Sequence, residues 1–392
     1  MDVSPTRIAS RQIAIVGAGA VGLAASLMLA GQGWQVTVLG QPQALRDGRT
    51  VALLDGSWQM LQELGLGAAL ELLVAPLRTM RLVDDTGSLF RQPPVEFHAR
   101  EIGLDAFGWN IENAALVEAL GAAVAARSDI RLLDCHVSEI TWRDHGAALS
   151  GNGFSPVSAA LVIGADGRNS AVRGAAGIAT TSWRYPQAAL TTILRHKRDH
   201  REVSTEFHTR SGPCTLVPLP GQRSSLVWMM AEDAAAALMA LDDEALAARV
   251  ERQVHSLLGK MAIDGPRGRV PMGGLAVARF TSDRAALIGE AAHAFPPIGA
   301  QGLNLGFRDV RSLCDALGDA ASSPAEAVAD RLSAYERDRT TDVRLRTMAV
   351  DTLNRTLLSD MLPADFMRGA GLLTLANLGP LRRMVMRQGM GA

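Results

Sequence analysis

The sequence predicts an α/β protein with a βαβ unit at its start, a strand-rich insertion in its middle and helices at its C-terminal end. Three observations carry that prediction. A short apolar strand, Ile13–Val16, runs into Gly17-Ala18-Gly19-Ala20-Val21-Gly22 and then a helical stretch, Leu23–Ala30. Residues 185–230 alternate in polarity through Ala189–Leu194, Glu202–Thr209, Pro213–Pro218 and Ser225–Met230, the period of an antiparallel sheet. A buried strand, Ala285–Ile288, turns through Gly289-Glu290 into a Pro- and Gly-rich loop and a helix near Leu303.

Composition bounds the reading. At 392 residues, 48% hydrophobic and 20% charged, the chain suits a soluble globular protein of two or three domains. A net charge of −1 without blocks of like charge gives no electrostatic case for a nucleic-acid partner. His196 and His200 lie among Arg195, Lys197, Arg198 and Arg201, which reads as a solvated basic turn rather than a metal site. Cys135, Cys214 and Cys314 form no CxxC pair, so they read as reduced thiols packed in a cytoplasmic protein. From Gln12 to Gln43 no residue is charged, and Arg7 and Arg11 precede the run. That resembles a signal peptide or membrane span, but the glycines at 17, 19, 22, 31 and 33 break it into strand, turn, helix and strand.

Each residue of the first motif has a physical task. Gly17 permits the tight turn, Gly19 lets a pyrophosphate approach the backbone, and Gly22 lets the helix pack on the strand. The phosphates then meet the positive end of the helix, where N–H groups lack partners. A Rossmann-like dinucleotide site ordinarily has an acid after its second strand. Here Gln35–Leu39 is followed by Gly40-Gln41, so Gln41 or a water takes that place.

The remaining elements follow in order. Arg49, ahead of a strand-like run and the helix Ser57–Leu64, is either a surface arginine or a donor reaching the cofactor. Residues 77–98 read as a hairpin turning at 84–87, and Asn113–Ala126 as a helix capped by Asn113. Strands follow at Ile130–Leu133, around a turn at 151–153, and at Ala160–Ile163. The last meets Gly164-Ala165-Asp166-Gly167-Arg168, where Asp166 is either a helix cap or part of a second cofactor turn. After the alternating strands and the helical region Asp233–Lys260, the chain returns to 285–310. There Pro296 and Pro297 stiffen the loop, while Gly299, Gly302 and Gly306 allow close approach. This order divides the chain into a discontinuous dinucleotide-binding domain (1–76, 99–182 and 270–340), a substrate domain (77–98 and 183–269) and a C-terminal helical region (341–392).

Gly17–Gly22, the Asp-Gly turn at Asp166 and the Gly289-Glu290 turn together resemble the FAD-dependent aromatic hydroxylases of the para-hydroxybenzoate hydroxylase type. The resemblance narrows to the ubiquinone-biosynthesis hydroxylases on the run His293–Asp309, on Gly212–Leu219, on Tyr335–Arg339, on Thr352–Asn354 and on Met386–Gly391. It covers nearly the whole chain in the right order. Three positions depart from that pattern: Gly40 replaces the acid, Glu290 replaces an aspartate, and Asn113 stands where many relatives place Arg or Gln.

The resemblance implies FAD as cofactor, NAD(P)H as reductant, O2 as co-substrate and a small phenolic, polyprenylated aromatic substrate. Oxygen transfer through a flavin hydroperoxide requires no Ser-His-Asp set or carboxylate pair, and none is evident. Pro297, Ile298 and Gly299 then lie beside the flavin face, and amides at Gln301, Gly302, Leu303 and Asn304 stabilise charge on the reduced ring. Arg49 and Asn113 hold the ribityl or phosphate region. Val137 offers backbone to the adenine or is a plain strand residue. His293 is a base or a structural hydrogen-bonder, and Leu216, Pro218, Val227 and Trp228 roof the substrate or fill the core. The run Leu372–Arg387, with Arg382, Arg383 and Arg387, docks on the inner membrane, on a biosynthetic complex or on the protein itself. The rival readings are another three-motif flavoenzyme, such as an epoxidase or secondary-metabolite hydroxylase, or a non-catalytic flavin-binding scaffold subunit. Oligomeric state stays open.

Overall fold

A computed structural model describes residues 11–42, 48–87, 93–295, 301–319, 328–358, 382, 383 and 386, with backbone alone at 301 and 344–358. The apolar strand Gln12–Val16 lies inside a six-stranded sheet. Parallel neighbours flank it: Gln35–Leu39 on one side and Leu161–Gly164 on the other. Ile130–Leu133 extends the sheet beyond Gln35–Leu39, and Ala285–Leu287 extends it beyond Leu161–Gly164. Ile13, Ile15, Val38, Ile163 and Ala286 are all buried, as parallel strands covered on both faces must be. The helix Ala20–Gly31 covers this sheet and packs against Gln301–Leu317, which in turn packs on the 31-residue helix Val328–Leu358.

The alternating middle of the sequence forms a nine-stranded sheet from Thr180–His196, Val203–Thr209, Gly212–Leu219, Arg223–Ala231 and Gly268–Val277 with their neighbours. The earlier strands Thr79–Asp84 and Val95–His98 join it, Thr79–Asp84 pairing in parallel with Val203–Thr209. Helices Glu232–Met239 and Asp243–Gln253 cover one face, burying Leu190, Leu194, Phe207, Leu216, Leu226 and Trp228. A small antiparallel sheet, Thr50–Leu54, Gly108–Glu112 and Val74–Pro76, lies between the two large sheets. It is joined to the nine-stranded sheet by a Thr50–Ser225 hydroxyl contact of 2.8 Å and by Asn110 Nδ2 donating to the Pro218 carbonyl at 2.8 Å.

Several local expectations change. Asn113 is the first residue of the helix Asn113–Ala125 rather than its cap; Glu112, with extended backbone, precedes it and makes no side-chain cap. The hairpin beginning at 79 has a wider loop than the 84–87 turn, because its second strand starts at Val95. The turn expected at 151–153 falls later, since one strand runs to Asn152 and the next starts at Val157. His196 is buried rather than solvated: Nδ1–H donates to the Arg198 carbonyl at 2.8 Å and Nε2 accepts from Ser224 at 3.0 Å. Leu216 and Trp228 belong to the core beneath the helices, while Val227, half-buried beside Met229, faces the other way. Arg382 pairs with Glu101 at 2.6 Å and stacks over Phe97, and Met386 is buried, so these C-terminal residues pack on the protein itself.

Candidate functional site

The three glycine-containing segments, far apart in sequence, meet at one end of the parallel sheet. Pairing of Val16 with Gly164 brings Gly17 against the Asp-Gly turn. A Cβ at Gly17 would lie 2.3 Å from the Ala165 carbonyl oxygen, so only glycine fits. Val21, on the first turn of Ala20–Gly31, lies against Gly289 and Gly306; a Cβ at Gly306 would approach its methyl group to 2.7 Å. The Gly289-Glu290 turn is closed onto the helix Gln301–Leu317, since the Gly289 amide donates to Asp309 Oδ2 at 2.8 Å.

The second segment is ordered by its own side chains. Asp166 Oδ2 accepts the amides of Ala171 at 2.7 Å and Val172 at 3.2 Å, and Ser170 Oγ accepts that of Arg173. Asp166 therefore does cap the helix Ala171–Ala175, jointly with Ser170. Its other oxygen, Oδ1, is buried and has no partner among the described residues. Arg173 donates to the carbonyls of Ala291 at 2.9 Å and Arg168 at 2.6 Å, with burial lowering its pKa. Arg168 approaches exposed Glu290 at 3.4 Å. Thus the Asp-Gly turn and the Gly-Glu turn are bonded to each other.

At the third segment, buried Asn304 docks the helix Gln301–Leu317 onto Thr50–Leu54. Its Oδ1 accepts the Leu54 amide and its Nδ2 donates to the Ala52 carbonyl, each at 2.8 Å. Gly302 and Leu303 precede it, Gly302 exposed with no described atom within 4 Å of where its Cβ would be, and Gln301 begins the helix. Pro297, Ile298 and Gly299 lie outside the described residues. On the same strand system, the Asn113 amide donates to the Arg49 carbonyl at 3.1 Å, so these two positions adjoin. Val137 is buried in His136–Arg143, on the three-stranded sheet. Gln41 is exposed just after the strand Gln35–Leu39.

A buried charge network supports the third segment from behind. Asp309, fully buried, accepts from His293 Nε2 at 2.6 Å and from Arg339 Nε at 2.8 Å, in addition to the Gly289 amide. Arg339 also reaches Asp342 at 2.8 Å. Burial opposes the charge of Arg339, but Asp309, Tyr335 and Asp342 outweigh it and raise its pKa. Burial likewise pushes the Tyr335 phenol well up, and its hydroxyl donates to the Leu287 carbonyl at 2.7 Å. His293 is thus held against Asp309 inside this network. Asp309, Arg339, Tyr335 and Arg173 carry this architecture without having been singled out individually; the signal available for Asp309 was an acid on the buried side of a helix five residues after Asn304.

The geometry fits a bound dinucleotide. The helix Ala20–Gly31 starts with no side-chain cap and no acid in its first turn, and among the described residues nothing lies within 4 Å of where a Gly19 Cβ would be. Unpartnered amides and open space beside them are what a pyrophosphate requires. The orphaned Asp166 Oδ1 is an acceptor awaiting a hydroxyl or amine. A family model described as an FAD binding domain matches residues 10–349. The chain belongs to the FAD-binding domain family. Its relatives include a ubiquinone hydroxylase of Rhodospirillum rubrum, 33% identical over 97% of this chain and 89% of that protein. The 3-demethoxyubiquinol 3-hydroxylase of Escherichia coli is 30% identical over 97% of this chain and 98% of its own length. Among solved structures, the p-nitrophenol 4-monooxygenase PnpA of Pseudomonas putida superposes with a TM-score of 0.78 at 18% identity, covering 96% of this chain and 97% of that one. HpxO of Klebsiella pneumoniae, complexed with FAD and uric acid, gives 0.76 at 18% identity, covering 97% and 96%. These likenesses show that the FAD-binding family member has their fold. Among the described residues, no cluster of three His, Cys, Asp or Glu could hold a metal, and no helix is long and apolar enough to cross a membrane.

Proposed function

We propose that this chain is an FAD-dependent monooxygenase that hydroxylates a phenolic, polyprenylated ring in ubiquinone biosynthesis. The observation that carries the reading is full-length similarity to ubiquinone hydroxylases combined with convergence of the three segments on one cradle. Bound FAD, reduced by NAD(P)H, supplies the activation of O2. The residues of the chain bind, orient and exclude water.

In this reading the amides of Ala18–Gly22 hold the pyrophosphate, and Gln41 stands near the adenosine ribose with Val137 backbone toward the adenine. Arg49 and Asn113 hold the ribityl or phosphate region, next to Gly289 and Glu290. Asp166 Oδ1 accepts a cofactor or coenzyme donor. The helix start Gln301–Asn304 directs its amides at the isoalloxazine, with Pro297, Ile298 and Gly299 as its facing loop. The nine-stranded sheet roofs the substrate with the face opposite its helices, where Ala189, Met229 and Met272 are buried with Tyr185, Val227 and Val270 beside them. Met and aliphatic side chains suit an aromatic ring with an apolar tail. Such a substrate resides in lipid, so the protein acts peripherally at the inner membrane or within a biosynthetic complex. The protein comprises 1–76, 99–182 and 270–340 as the FAD-binding domain, 77–98 and 183–269 as the substrate domain, and 341–392 as a C-terminal helical region.

The test is purification followed by absorbance and NAD(P)H oxidation with and without polyprenylated phenols. A yellow protein whose NADH or NADPH oxidation is accelerated by the phenol, with hydroxylated product, is expected. A colourless protein that takes up no added FAD overturns the reading.

A further inference from the structure

A pocket of about 430 Å³ lies on the helix-covered side of the nine-stranded sheet, over the neighbouring strands Thr79–Asp84 and Val203–Thr209. Its floor is apolar, with Leu216, Leu257 and Leu258. Its rim is cationic: Arg198 and Arg201 are exposed there, and Arg81 is half-buried. Arg81 also bonds Glu96 at 2.8 Å, and Arg198 donates to the Ser256 carbonyl at 3.2 Å. Asp199, the acid among the described lining residues, accepts the Arg201 amide at 2.8 Å, so the rim carries three guanidinium groups against this one carboxylate. His200 contributes a wall held by two hydrogen bonds: Nδ1 accepts the Glu202 amide at 3.0 Å and Nε2–H donates to the Leu219 carbonyl at 3.0 Å.

The backbone around this pocket is unusual. Arg201, Glu202, His255 and Ser256, with φ of 51°, 59°, 50° and 51°, are the non-glycine residues of positive φ among the described residues. One pair carries the Arg201 rim and the other immediately precedes Leu257 and Leu258. Left-handed non-glycine backbone is retained where surrounding structure imposes it, and it gathers at binding sites.

We propose that this pocket binds a phosphate ester joined to an apolar chain, with the phosphate on Arg198 and Arg201 and the chain over Leu216, Leu257 and Leu258. Guanidinium forks match phosphate oxygens, and a bare phosphate would leave the leucine floor unused. Both a membrane phospholipid and a free alkyl phosphate have this chemistry. The site is separate from the cradle of the glycine segments and does not depend on the hydroxylase reading.

The experiment titrates the FAD-loaded protein with hexyl phosphate, inorganic phosphate and hexanol by calorimetry. Hexyl phosphate should bind at least about tenfold more tightly than either half alone, since two methylenes reaching the floor give that factor. Its affinity should fall as salt rises, and about tenfold in the double variant Arg198→Gln, Arg201→Gln, with NAD(P)H oxidation unchanged. Leu257→Asn should weaken hexyl phosphate but not inorganic phosphate. Vesicles of phosphatidylcholine with or without phosphatidylglycerol then separate the sources: retention on the anionic vesicles that needs both arginines assigns a lipid, and binding of hexyl phosphate without retention assigns a free amphiphile. Equal binding of hexyl and inorganic phosphate, binding indifferent to salt, or no binding by the wild-type protein overturns the proposal.

Discussion

Gly40 shows how one residue constrains a site. It has φ of 151°, and a Cβ there would lie 2.9 Å from the Ala18 amide nitrogen. Restoring an acid at this position therefore collides with the first glycine turn before it can reach a ribose. Gly40→Glu is expected to destabilise the protein by about 1–3 kcal/mol and to weaken FAD rather than tighten it; urea unfolding and an FAD titration measure both. His196 gives a pH prediction. Burial lowers its pKa, and its two hydrogen bonds suit the neutral ring. The stability it contributes is present above the ordinary histidine pKa and is lost as pH falls through its lower folded value. Unfolding free energy should thus decline on acidification through the histidine range, and His196→Asn should flatten that part of the profile. The burial was illegible in the sequence, because four neighbouring basic residues made the segment look solvated while alternation along Thr180–His196 actually turned His196 inward.

Among the elements, the strand–turn–helix at 12–31 was plain in the sequence, since its glycines and apolar residues act locally. The docking of the helix Gln301–Leu317 was not, because its partners come from strand Thr50–Leu54 and from the helix Val328–Leu358. Gly302→Asp tests the start of this helix. No atom of the described residues lies within 4 Å of a Cβ at that position, and an acid in a first helical turn is favourable in itself. The variant should keep its apo-protein melting temperature while its FAD Kd rises by about tenfold or more, equivalent to about 1.4 kcal/mol. Asp309→Asn should act in the opposite manner. It leaves Arg339 and His293 without their buried anion, so a loss of about 3–5 kcal/mol in unfolding free energy is expected, with weaker FAD as a secondary effect. Matched Tm and FAD titrations distinguish the two variants.

For the whole molecule, the sequence made the two-sheet plan legible through its change from helical to alternating periodicity. What it could not show was the join. Thr79–Asp84 pairs in parallel with a strand more than a hundred residues later, and Arg223 bridges Glu112 at 2.9 Å and Asp264 at 2.7 Å. No local pattern encodes such partners, because long-range pairing is decided by which hydrophobic faces remain to be covered once both sheets exist. The same applies to the candidate site: its glycine turns were readable one by one, while the contact of Val21 with Gly289 and Gly306 exists only in the assembled fold.

The strand Ala285–Leu287 enters the parallel sheet beside Leu161–Gly164, and the turn after it completes the cradle begun at Gly17. On a ribosome, these partners are synthesised far apart in time. The emerging N-terminal unit must wait until Ala285–Leu287 and the turn after it have been made before its cradle can close, a delay inherent in long-range topology. Cofactor capture accordingly follows the synthesis of all three segments. Ribosome-bound chains arrested after residue 280 should not retain FAD, whereas chains extended far enough to expose residue 358 should; fluorescence of flavin co-purifying with each arrested chain measures the difference.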